Sequence, residues 1–115
     1  MKQYDAIIIG SGQAGTPLAF TYAGKTIKTA DYEMAYVARA REKGETKRFM
    51  RIIIDKDTDK ILGASILGVG GDELVASLLN VMYADKPYTL IRDAVHIHPT
   101  VAELIPTMLK NLQEM

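Results

Sequence analysis

Apolar and polar positions divide the chain into blocks of different period. Tyr4 to Ile9 is a short apolar run of the kind that forms a strand buried on both faces, and Gly10-Ser11-Gly12-Gln13-Ala14-Gly15 follows it. Thr16 to Phe20 can open a helix with Pro17 in its first turn. Gly24 and the β-branched Thr26, Ile27 and Thr29 then stop it early. Thr26 to Met34 reads as extended, and a short Ala- and Arg-rich piece spans Ala35 to Lys43. Lys47 to Asp55 is strongly strand-like through Phe49, Met50, Ile52, Ile53 and Ile54, and Ile61 to Leu67 is a second strand. The five polar residues Lys56 to Lys60 between them predict an antiparallel hairpin and not a βαβ unit.

Gly68, Gly70 and Gly71 break the second strand, and the spacing of Leu74, Val75, Leu78, Leu79 and Met82 predicts a helix that starts near Asp72 and ends at Asp85-Lys86-Pro87. Thr89 is suited to cap a short helix over about Leu90 to Val95. A last helix runs from Val101, with Leu104, Ile105, Met108, Leu109 and Leu112 on its buried side. Pro106 lies inside that helix and should remove one hydrogen bond and bend it. The order strand, strand, helix, helix, helix predicts an α+β fold, a mostly antiparallel sheet with helices packed on one face.

Composition narrows the partners. A chain of 115 residues can bury a single core. Lys+Arg equals Asp+Glu at 14 each, so the basic surplus of a nucleic-acid binder is missing. No apolar run approaches the roughly 20 residues that cross a bilayer. Ala6 to Ile9 is also shorter than the core of about 7–15 residues in a signal peptide, so a cytoplasmic location is expected. The sequence contains no cysteine, which removes disulfides, thiolate metal sites and a cysteine nucleophile together.

Two constellations carry candidate chemistry. Gly10-x-Gly12-x-x-Gly15 behind an apolar strand has the dinucleotide fingerprint, in which glycines let backbone N–H groups approach a pyrophosphate. Glu33, 18 positions past Gly15, stands where an acidic residue would hold a ribose. Against a working site, the intervening helix is too short, and no further βα units follow to build a crevice. An edge strand or loose arm is the favoured reading of these residues, with a small FAD- or NAD-binding protein using Gly10 to Gly15 as the alternative.

His96-Ile97-His98-Pro99-Thr100-x-x-Glu103 is the second constellation. In an extended segment His96 and His98 share a face, but no third metal ligand has an evident spacing, so no metal is expected. Thr100 and Glu103 have the spacing of a capping box for the last helix. Alternatively Glu103 orients His98 and raises its basicity, which would make the two an acid–base dyad. Spacing alone favours the cap.

Beyond these readings, Met34 to Ala40, Gly44 to Phe49 and Asp55 to Ala64 together resemble the dimerisation domain of class I pyridine nucleotide–disulfide oxidoreductases, and His96 to Glu103 looks like that family's C-terminal signature. Dihydrolipoamide dehydrogenase, glutathione reductase and mercuric-reductase-like proteins belong to the family. Tyr4 to Leu18 separately resembles its N-terminus, where a strand and glycines hold FAD. The resemblance implies residues 1–20 as a remnant of the FAD domain and 21–115 as the dimerisation domain, with a junction near Phe20 to Gly24 and the middle of the enzyme deleted. It implies His98 as the acid–base residue and Glu103 as its orienter, acting at a partner subunit's flavin and disulfide in a homodimer. FAD and NAD(P)H would serve the parent enzyme. The chain alone, without the redox cysteines, is expected to bind neither and to be inactive.

Overall fold

The computed structural model describes residues 24, 26–47 and 49–114. The expected strand at Tyr4 to Ile9, the glycines Gly10, Gly12 and Gly15, and the helix start at Thr16 lie outside the described residues.

The segment expected to be extended, Ile27–Glu33, forms a strand, β1, with Ile27 and Ala30 buried. A 3-10 turn, Met34–Tyr36, and a one-turn helix α1, Ala38–Glu42, follow it. The predicted hairpin forms from β2, Phe49–Asp55, and β3, Ile61–Ile66. A two-residue strand β4, Gln113–Glu114, completes a sheet of order β3-β2-β1-β4. Every pairing is antiparallel, with Ala30 opposite Ile52 and Ile52 opposite Ala64.

The hairpin turn is organised by a buried carboxylate. Asp55, only 2% exposed, accepts the backbone N–H of Asp57 (3.0 Å) and of Thr58 (3.3 Å) on Oδ1. Its own N–H donates to the carbonyl of Lys60, and its carbonyl accepts from the N–H of Asp59. Asp59 takes the left-handed conformation (φ 57°) that closes the turn, a conformation the short polar Asp side chain tolerates.

The helices supply the core's second layer. Met50, Ile52 and Ile54 project from one face of β2 into a cluster with Leu74, Leu78 and Ile91, and with Ile105, Met108 and Leu109. Helix α2 spans Gly71–Tyr83, and its buried stripe is Gly71, Leu74, Leu78 and Val81. Val75, Leu79 and Met82, expected on that stripe, are instead only partly buried. The helix sits rotated because Gly71 must pass close to β3. A Cβ there would lie 3.0 Å from Ile66 Cγ2 and 3.1 Å from the Ile66 carbonyl oxygen.

Three local expectations are corrected. Helix α3 is Thr89–Arg92, shorter than expected, and Thr89 is not its cap: Tyr88 holds that position with no side-chain cap bond. The last helix does not start at Val101. A 3-10 turn, Ala102–Leu104, comes first, and α4 is confined to Ile105–Leu109. Pro106 therefore falls in the first turn of α4, where a missing N–H costs nothing, and bends no helix.

Candidate functional site

Residues 94–100 belong to no strand, helix or turn. This stretch leaves α3 and carries both histidines, and its shape depends on side-chain bonds. His96 Nε2 donates to the Ile91 carbonyl at 3.1 Å. Thr100 Oγ1 donates to the Ile97 carbonyl at 2.7 Å. The His98–Pro99 peptide bond is cis.

His98 and Glu103 come together, with Nδ1 2.5 Å from Glu103 Oε2. The capping box does not form. Thr100 spends its hydroxyl on Ile97, Glu103 spends its carboxylate on His98, and the N-cap of the 3-10 turn is Val101, without a side-chain bond. The two partners differ in access: the His98 side chain is 76% exposed and that of Glu103 only 13%. An ionised carboxylate can only accept, so Nδ1 carries the proton and Nε2 is left as the basic nitrogen. An exposed imidazole oriented by a shielded carboxylate is suited to accept a proton from an incoming acid and return it.

Arg39 was not singled out by sequence. Its Nη2 donates to the Pro99 carbonyl at 2.7 Å, across sixty positions of sequence. Its Nε is buried and lies 3.1 Å from Glu42 Oε2, an ion-pair distance without hydrogen-bond alignment. No local signal pointed to this residue, because the contact joins α1 to a loop that no period describes. Beside it opens a cleft of about 590 Å³ whose walls include Arg39, Lys43, Leu74, Ser77, Ile97 and Val101.

The remaining candidates are not gathered here. Glu33 ends β1 as an exposed residue, and β1 runs antiparallel to both neighbours, whereas a dinucleotide fold places the ribose carboxylate after a parallel strand. Gly10, Gly12 and Gly15 lie outside the described residues. Among the described residues, no group of three or more His, Cys, Asp or Glu is placed to hold a metal ion, and no helix is long and apolar enough to cross a membrane.

Comparison with known proteins shows the family. Residues 17–109 match the family described as the pyridine nucleotide-disulphide oxidoreductase dimerisation domain. The probable pyridine nucleotide-disulfide oxidoreductase RclA of Escherichia coli is 33% identical over 81 residues, which cover 70% of this chain and 18% of that protein. Dihydrolipoyl dehydrogenase 3 of Haloarcula marismortui is 31% identical over 91 residues, 79% of this chain and 19% of that protein. Among solved structures, the HOCl-induced flavoprotein disulfide reductase RclA from Escherichia coli superposes with a TM-score of 0.76 at 30% identity, over 79% of this chain and 21% of that one. The chain thus spans about a fifth of the length of these relatives.

Proposed function

Since this chain belongs to the pyridine nucleotide-disulphide oxidoreductase dimerisation-domain family, we propose that it is the dimer-forming module of an FAD-dependent NAD(P)H–disulfide oxidoreductase, in whose parent enzyme His98 and Glu103 serve the active site of the partner subunit. The observation that carries this reading is the exposed His98 ring held at 2.5 Å by a shielded Glu103. At such a site His98 Nε2 takes the proton of a thiol as the thiolate forms, and returns it to the thiolate released when a disulfide is opened. Glu103 keeps the ring in the Nδ1–H tautomer and stabilises the imidazolium between the two transfers. FAD and NAD(P)H belong to the parent enzyme, where flavin would pass electrons to the disulfide.

The chain has no cysteine, so the disulfide must come from another molecule, and the module is inactive alone. Residues 1–20 are read as a remnant of the FAD domain and 21–115 as the dimerisation domain, in a cytoplasmic homodimer that binds neither nucleic acid nor membrane. The described residues offer no replacement for a dinucleotide fingerprint. The glycine-rich junction between β3 and α2 opens a helix N-terminus, but Asp72 and Glu73 in its first turn place negative charge where a pyrophosphate would lie. Size-exclusion chromatography with light scattering tests the module. A particle of twice 12.7 kDa is expected, and a monomer at every concentration tried refutes it.

A further inference from the structure

The loop that presents His98 lacks the ordinary means of being positioned. Residues 94–100 take part in no ladder or helix, so backbone hydrogen bonds do not place them. The Thr100 bond to Ile97 closes on the same stretch, and the His96 bond to the Ile91 carbonyl holds only the start of the loop, to α3. Neither fixes the segment beyond His98. Pro99, next to His98, has no N–H to donate, but its carbonyl is held at 2.7 Å by Arg39 from α1. Glu42 lies one turn further along α1, 3.1 Å from Arg39 Nε, and so steadies the guanidinium from behind. Helix α1 is in turn anchored by Ala40, which is fully buried.

We infer that Arg39 is a positioning residue for the acid–base pair: its bond to the Pro99 carbonyl fixes the His98 loop on the folded domain and so brings His98 Nδ1 onto Glu103. The inference rests on the proposed role of that pair. Arg39 itself touches no reacting group. Its planar fork suits the task, since Nη2 can serve the Pro99 carbonyl while Nε faces Glu42, two directions that a flexible ammonium cannot serve at once. Without that bond the loop keeps its His96 anchor to α3, but the segment around Pro99 loses its fixed place, and the His98–Glu103 contact becomes one of several arrangements.

Long-range proton–nitrogen NMR of the histidine rings in the full chain reads this directly. In the wild type, neutral His98 should be the Nδ1–H tautomer. His96, which donates through Nε2 to Ile91, should show the opposite tautomer and serves as an internal reference. Arg39→Met should move His98 toward the tautomer mixture of a free peptide and leave His96 and the dispersed amide spectrum unchanged. Arg39→Lys, which keeps one donor, should restore part of the Nδ1–H signal. A folded Arg39→Met chain with an unaltered His98 signature overturns the inference. Arg39→Leu is the second non-donor variant, and loss of the fold in both would overturn it as well, by making Arg39 a structural residue. Glu103→Leu separates the two layers, because it removes every acceptor at that position, whereas Gln keeps one. If the Leu variant leaves the His98 tautomer unchanged, the pair itself is wrong; if it shifts the tautomer and Arg39→Met does not, only the role of Arg39 falls.

Discussion

Removing the Asp55 carboxylate should loosen the β2–β3 hairpin by a predictable amount. Its Oδ1 accepts two backbone N–H groups, at 3.0 and 3.3 Å. A hydrogen bond to a charged group contributes about 1.5–3 kcal/mol net, and the longer bond less. Two effects offset the loss in Asp55→Ala. The released N–H groups belong to Asp57 and Thr58, both exposed and able to bond water, and burying the carboxylate at 2% exposure is itself costly. A net destabilisation of about 2 kcal/mol is expected. Asp55→Asn retains an oxygen at the Oδ1 position and loses only the charge, so about 0.5–1 kcal/mol is expected. Urea unfolding at one fixed protein concentration is the assay, since a dimer's stability depends on concentration. With a slope of roughly 1–1.5 kcal/mol/M for a chain of this size, the Ala variant should unfold about 1.5 M earlier with the slope unchanged. Hydrogen exchange should quicken first at the Asp57 and Thr58 amides. The reasoning fails if Asp55→Ala lies within about 0.5 kcal/mol of wild type, or if Asn is as damaging as Ala.

Leu78→Ala, at a side chain 1% exposed in the centre of the core, should cost about 3 kcal/mol in the same unfolding assay, and a loss below about 1 kcal/mol would mean the helices do not cover the sheet as described. Gly71→Ala puts a methyl 3.0 Å from Ile66 Cγ2 and 3.1 Å from a backbone oxygen, so α2 must retreat from β3 at a cost of about 1–2 kcal/mol; a melting temperature equal to wild type would contradict that approach. At the acid end, the Lys56 ammonium hydrogen-bonded to Glu114 and the Arg92 guanidinium bonded to Asp93 hold both carboxyls below their ordinary values. A depressed folded pKa gives stability that is present above the unfolded value and is lost as pH falls through the folded one. Stability should therefore decline below about pH 4, and Glu114→Gln should flatten part of that decline, an effect that salt weakens because both pairs are exposed. At the alkaline end, the bond to Asp59 raises Lys28 above 10.5, so its contribution is complete below that value and is lost as pH rises through the higher folded value. Lys28→Met should leave the remaining pH profile flatter on that side, as read by urea midpoints across an alkaline series.

Local pattern by itself determined the elements whose signals are periodic and near in sequence. The hairpin was legible because two β-rich runs flank five polar residues, and α2 because its leucines recur at helical spacing. The His96 to Glu103 stretch could be recognised as chemistry, but its spacing favoured a helix cap over an acid–base pair. Tertiary structure decided against the cap. The last helical segment starts as a 3-10 turn at Ala102, and the Glu103 carboxylate bonds the His98 ring instead of a helix N-terminus. Tertiary structure also rotated α2 by the close passage of Gly71 against Ile66, moved Pro106 from an interior to a first turn, and joined Arg39 to Pro99. Each of these depends on atoms that are remote in sequence or on the rotation of one element against another. A period of two or of 3.6 residues assigns a face, but only packing decides what that face meets.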